Sequence, residues 1–311
     1  MRVLVLGSAA GGGSPQWNCN CAVSQAVRTS TNGVRPRTQS SLAVSSDGEN
    51  WFLLNASPDL GEQIKANPAL HPKQGTLRHS PIQGVILTNG DVDHVAGLLV
   101  LRESQPLVVY GSQRVLGFLA TNSIFNVLNP DYVRRQPLVL GEPTPVASHD
   151  GKHDGLMIEA FAVPGKIALW LEDTSKGGDF GTEEGDTIAL RVWVDGAEDQ
   201  ALYYIPGCAA MDDSLAQRLK GAPLVFFDGT LWQDDEMVKA GLGTKTGARM
   251  GHMSQSGDKG TLAAFQDLDV KRKILIHINT TNPILLTDSP ERRHVEQQGW
   301  EVAYDGMEVA L

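Results

Sequence analysis

ILTNGDVDHVAGL, residues 86–98, is the stretch whose reading decides the fold. The apolar run just before and into it, GVIL at 84–87, has the β-branched character of a short buried strand. Thr88 ends the run, and Asn89-Gly90 supplies a turn in which glycine can take positive φ. Asp91, Asp93 and His94 follow, and residues 95–101 resume as an apolar, helix-compatible stretch. Strand, polar loop and helix in that order place ionisable side chains at the carboxyl end of a strand, where α/β sheets collect ligands. One aspartate is enough to cap the helix. Three ionisable groups exceed that need, and the adjacent Asp93 and His94 are a carboxylate and an imidazole suited to Zn, Fe or Mn.

Outward from this segment the chain alternates short strands and helices. Residues 2–6 read as a strand, and the Gly/Ser loop at 7–14 follows. No Lys-Ser/Thr comes after it, so it is not a phosphate loop; it reads as backbone laid close to a pocket. Residues 38–44 and 51–55 read as strands joined by a hairpin turn at 46–50. Helices are expected at 60–66, 112–120, 213–219 and 234–240, and a last one ends near 295–299. Further strands are expected at 106–110, 156–163, 187–194, 202–205, 224–230, 273–280 and 301–304. The Gly-rich acidic run 173–186 reads as a mobile surface loop. Both halves run through strands to helices, with no short repeat. This predicts a single domain over 1–311, an αββα sandwich of two mixed β-sheets with helices outside.

The 311 residues carry a net charge of −10, with 41% hydrophobic and 20% charged side chains, which argues against a nucleic-acid footprint and against adhesion to anionic membranes. No stretch reaches membrane-spanning length and no secretory core is present, which predicts a cytoplasmic protein with no membrane span. The three cysteines, Cys19, Cys21 and Cys208, cannot all pair. Cys-x-Cys is a poor disulfide spacing but suits two thiolates on one structural zinc, which Cys208 could extend; two small buried thiols are the competing reading.

Asp93, His94, Asp228, His252 and His277 share one local grammar: each stands at or beside the end of an apolar strand or in a loop next to one. In layered α/β folds such ends meet on one rim. Individually each has an ordinary explanation: an Asx turn for Asp228, a loop histidine for His252, a satisfied core histidine for His277.

TNGDVDH resembles a degraded His-x-His-x-Asp-His signature of the metallo-β-lactamase superfamily, with Asn89 and Asp91 standing where two histidines would be. GHMS at 251–254 and IHIN at 276–279 resemble that superfamily's later histidine motifs. The match is closer still to the coenzyme PQQ biosynthesis protein B family, through VLGSAAGGGSPQWNCNC (5–21), RTQSS (37–41), LLNASPD (53–59), FDGTLW (227–232), GTKTG…MGH (243–252) and HINTTNPIL (277–285). The family's Cys-x-Cys-x-x-Cys pattern has Ser24 in its third place here, and a hydroxyl is a poor zinc ligand.

The resemblance implies a role in pyrroloquinoline quinone (PQQ) biosynthesis. Asp93, His94 and His277 would hold one Fe(II), the two-histidine, one-carboxylate set of non-haem oxygenases. Asp91, Asp228 and His252 would orient ligands or move protons. The implied reaction is O2-dependent hydroxylation of the tyrosine of the PQQ precursor peptide or of its Glu–Tyr cross-linked product, alongside other PQQ biosynthesis proteins. Two other readings follow from the same resemblance. A hydrolase would need two metals, against which Asn89 weighs. A non-catalytic carrier would bind PQQ itself and carry it out of the cytoplasm, holding it through Lys245, Arg249 and Arg37.

Overall fold

Consecutive side chains on a strand point to opposite faces, so a strand apolar at every position needs cover on both sides. The strand Ser41–Ser45 sends Leu42 and Val44 into one core and Ala43 into another. Leu224–Asp228 likewise sends Phe226 one way and Val225 and Phe227 the other. Leu42, Val44 and Phe226 share a core, which therefore lies between two sheets. The computed structural model, which describes residues 1–31 and 33–311, has this arrangement: two mixed sheets face to face, with helices on both outer faces.

In spatial order the first sheet runs β14 (Glu308–Ala310), β1 (Arg2–Gly7), β2 (Ser41–Ser45), β3 (Trp51–Leu54), β4 (Ile82–Ile86), β5 (Leu107–Gly111) and β6 (Val133–Pro137). The second runs β13 (Trp300–Val302), β12 (Arg272–Ile276), β11 (Leu224–Asp228), β10 (Leu202–Ile205), β9 (Ile188–Val194), β8 (Leu156–Ala162) and β7 (Thr144–Pro145). β3 to β6 are parallel in one sheet, and β10 to β13 in the other. The carboxyl ends of β4, β11 and β12 meet on one rim, as hydrogen bonds between their following residues show.

Helices α1 (Ala22–Arg28), α2 (Leu60–Ala66), α3 (Val92–Val95), α4 (Gln113–Thr121), α5 (Asp213–Leu219), α6 (Glu236–Lys239), α7 (Gly247–Met250), α8 (Thr261–Ala264) and α9 (Pro290–Gln297) complete the layers. Leu60, Val95, Val115 and Leu119 close the outer face of the first sheet. Val23, Val27, Leu215, Leu219, Leu262 and Val295 close that of the second. No helix among the described residues is long and apolar enough to cross a membrane.

Helices at 60–66 and 213–219 and the strand at 202–205 lie where the pattern puts them. Residues 95–101 do not continue as an α-helix. After the single turn of α3 the chain tightens into a 3-10 helix, Ala96–Leu101, because Gly97 N–H donates to Ala56 O at 2.9 Å instead of to its own helix. A Cβ at Gly97 would collide with the Ser57 carbonyl, so only glycine allows that approach. The expected strand 273–280 stops at Ile276, since His277 takes a left-handed φ of 58°. At the end of the chain, β13 is followed by an unforeseen strand, β14, which pairs with β1.

Candidate metal centre

Four chain segments deliver the site. The loop after β4 carries Asn89 and Asp91, and α3 carries Asp93 and His94. β11 ends in Asp228, and β12 hands directly on to His277. His252 follows α7, whose left-handed Gly251 cap turns the chain toward the rim. Asp93, His94 and His277 bring one ligand atom each to within 4.8 Å of one another, and Asp228, His252 and His277 do the same. The His277 ring stacks on His252 with centroids 5.2 Å apart and meets His94 edge-on, also at 5.2 Å.

Hydrogen bonding fixes which nitrogen each ring offers. Asn89 Oδ1 lies 2.7 Å from His94 Nδ1. His252 Nδ1 donates to Asp228 Oδ2 at 2.7 Å, since a carboxylate only accepts. Thr230 Oγ1 lies 2.6 Å from Asp228 Oδ1 and 3.0 Å from the His277 carbonyl, which both only accept. Its one hydrogen is thereby spent, and it accepts from His277 Nδ1 at 2.8 Å. All three rings are held by Nδ1, leaving Nε2 to the site.

The residues fit a metal ion. His94 Nε2 is buried without a hydrogen-bond partner among the described residues, an arrangement costly for a polar atom unless something else satisfies it. His277 Nε2 lies 3.0 Å from Asp93 Oδ2. With Nδ1 as the donor, these are two lone pairs face to face, which a shared proton or cation reconciles. Burial, only partly opposed by Asp93, lowers the His94 pKa to about 4, so this ring is neutral and able to ligate near pH 7. Burial works against the charge of Asp93, yet His94 and His277 outweigh it and hold the carboxyl below the usual range.

Asp228 has both carboxylate oxygens engaged within the protein. Its Oδ2 also accepts from Cys208 N–H at 2.9 Å, and its Oδ1 from Thr230 N–H at 3.0 Å. The Asx turn and the contact with His252 are both real. Asp91 accepts from Leu169 N–H through Oδ1 at 3.2 Å, and burial together with the charge of Asp93 raises its pKa. Asp91, Asp93, His94, His252 and His277 line a cavity of about 440 Å³ with Gly11 and Lys245, while Asp228 lies behind it. The Gly-rich loop after β1 does bring backbone to the pocket: a Cβ on Gly11 would sit 3.4 Å from Asp93 Oδ2.

Of the three cations named for quinone binding, Lys245 alone lines the cavity, with no ion pair among the described residues. Arg37 is buried on the Ala303 carbonyl, and Arg249 is bound to Glu172. Sequence reasoning did not find Thr230, although its place two residues after Asp228 signals a turn that returns a hydroxyl to the carboxylate. It also left out Leu169, which lines the cavity, and the neighbouring Trp170, whose Nε1–H donates to Gly90 O at 3.0 Å.

Cys21 caps α1, its Sγ accepting from Ser24 N–H at 3.5 Å, while Cys19 Sγ accepts from Cys21 N–H at 3.4 Å. Ser24 Oγ pairs with Thr280 Oγ1 at 2.9 Å in the position where the family pattern has sulfur. Among the described residues no third cysteine, histidine or carboxylate joins Cys19 and Cys21 at ligand distance. Cys208 is a buried thiol behind Asp228, its own pKa raised to about 12 by burial and by that carboxylate.

Residues 50–278 match the family model described as Beta-lactamase superfamily domain. The chain is 55% identical over 311 residues to coenzyme PQQ synthesis protein B of Xanthomonas oryzae pv. oryzae, covering all of both chains. It is 52% identical over 312 residues to the protein of the same name from Bradyrhizobium diazoefficiens, again at full coverage. Among solved structures, Zn(2+)-bound PqqB from Methylobacterium extorquens matches with a TM-score of 0.91, 48% identity and complete coverage of both chains.

Proposed function

This chain belongs to the coenzyme PQQ synthesis protein B family, with a β-lactamase superfamily domain, and from that premise we propose that it hydroxylates a tyrosine side chain on the way to PQQ, using Fe(II) and O2. The observation that carries this reading is the donor set. Asp93, His94 and His277 offer two neutral-type nitrogens and one carboxylate, and the place of a first-metal histidine is taken by Asn89, whose oxygen is turned to His94. Two histidines and one carboxylate are the ligand set of mononuclear Fe(II) oxygenases.

Asp93, His94 and His277 would hold the ion. Bound there, ferrous iron would supply a redox-active centre and open positions that make O2 reactive toward an aromatic ring. Replacing a ring C–H by C–OH consumes one oxygen atom of O2 and releases the other as water. The balance takes two electrons and two protons from an external reductant.

The rest falls to the protein's own side chains. Asp91 keeps Oδ2 free of any protein partner among the described residues, and would accept the phenol hydrogen of the substrate. His252, held by Asp228 through Nδ1, would exchange a proton at Nε2 on the opposite wall. Lys245 would meet a carboxylate of the precursor peptide or its Glu–Tyr product. Leu169 would shield one side of the cavity from water. The reaction is proposed for the cytoplasm, where a peptide precursor is made.

The test is anaerobic loading with Fe(II), addition of a tyrosine-containing precursor and a reductant, and admission of O2, followed by mass analysis. A gain of one oxygen atom, dependent on iron, is expected. No oxygen gain with one full equivalent of bound iron would overturn the hydroxylase. A catalytically competent pair of metals would favour a hydrolase instead.

A further inference from the structure

Asn89 stands where the resemblance places a ligand, yet its carboxamide is turned away from ligation. Its Oδ1 accepts from the backbone N–H of Asp91 at 3.0 Å and lies 2.7 Å from His94 Nδ1. The backbone donor fixes the identity of that atom: an amide nitrogen there would set one donor against another. Because the atom is oxygen, His94 Nδ1 must carry the hydrogen. A second hydrogen on Nε2 would be a donor with no protein acceptor, since that atom is buried and without a hydrogen-bond partner among the described residues. His94 itself is 2% exposed, and Asn89 is the partner that its Nδ1 meets inside the protein.

We propose that Asn89 is a positioning residue: it locks His94 in the Nδ1–H tautomer and orientation that present the Nε2 lone pair to the metal position. The same oxygen ties the turn at Asp91 to the ring, so the loop and the ligand are set by one group. Thr230 performs the matching task for His277 from the other sheet. The inference rests on the reading of His94 as a ligand, and it extends that reading to a residue outside the donor set.

The experiment reads the ring nitrogens directly. Long-range ¹H–¹⁵N spectra of the metal-free protein should show His94 as the Nδ1–H tautomer. Asn89→Leu should lose that signature and weaken Fe(II) or Co(II) binding on the order of 10–100-fold, the usual cost of removing a partner behind a ligand. Asn89→Asp, whose oxygen can also accept, should retain the tautomer and restore most of the affinity. An Nε2–H signature in the native protein, or an unchanged signature in Asn89→Leu, would overturn the proposal. The native spectrum decides the matter even if Asn89→Leu does not fold. A tautomer that moves with no change in metal affinity would keep Asn89's hold on the ring and remove His94 from the ligand set. In a His94→Ala background, Asn89→Leu should have no further effect on affinity.

Discussion

Arg249 meets Glu172 through two parallel hydrogen bonds, Nη1 to Oε1 at 2.9 Å and Nη2 to Oε2 at 2.7 Å. Lys166 adds a third donor at 3.0 Å, and the Phe180 ring packs under the guanidinium at 3.7 Å. These contacts tie α7, and with it His252, to the segment that lays Leu169 over Asp91. Bidentate pairs of this kind combine strength with a fixed direction.

Glu172→Gln should therefore loosen the cover while leaving the sheets intact. Hydrogen exchange in residues 167–182 is expected to speed up roughly tenfold, about 1.4 kcal/mol, with β9 to β12 unchanged. The Arg249 bonds lead the lowering of the Glu172 pKa to about 2, well under the ordinary carboxylate value. A depressed acid stabilises above its unfolded pKa and loses that contribution as pH falls toward the folded one. Protection of the cover should be constant from about pH 6 to 8 and decline below about pH 4.5. Equal exchange in both proteins would show the pair to be incidental.

Thr230→Val keeps the shape and deletes the hydroxyl shared by Asp228 and His277. Metal affinity should fall on the order of 10–100-fold, and Thr230→Ser should restore it. Unchanged affinity in the valine protein would mean that His277 needs no support from this side.

His94→Ala should abolish tight metal binding without unfolding the chain. The measurement is the melting temperature with and without excess metal: a rise is expected in the native protein and none in the variant, because an ion that binds only the folded state stabilises it. A full metal-dependent rise in His94→Ala would sink the ligand assignment.

The Cys19→Ser, Cys21→Ser double variant should keep the zinc content of the native protein. Serine is a good N-cap, so α1 should stay anchored, with melting shifted by only a few degrees. Loss of one zinc equivalent with a large drop in melting would establish a metal between these thiols that is completed by other donors.

Much of this architecture could be read from residue patterns. Continuously apolar strands demanded cover on both faces, and Asp93, His94, Asp228, His252 and His277 were visible because each follows such a strand or a glycine turn. The remainder depended on contacts distant in sequence. The run 173–186 looks like free loop by composition, yet Asp186 is buried and receives two bonds from Arg114, 72 residues earlier. Asn89 read as a ligand that had been lost; its role depends on where one oxygen points. β14 is three residues long and has meaning only beside β1.

Asp93 and His94 follow a strand of the first sheet, whereas His277 follows one of the second, 184 residues from Asp93. No fragment holding one sheet alone can assemble this donor set. An ion gripped by both would act as a rivet across the seam, favouring docked over parted layers by about 2.7 kcal/mol at a hundredfold excess over its Kd. Its escape would then be timed by the parting of the sheets as much as by ligand exchange. The same ion that serves the chemistry would report, through its rate of loss to a chelator, how often the sandwich opens.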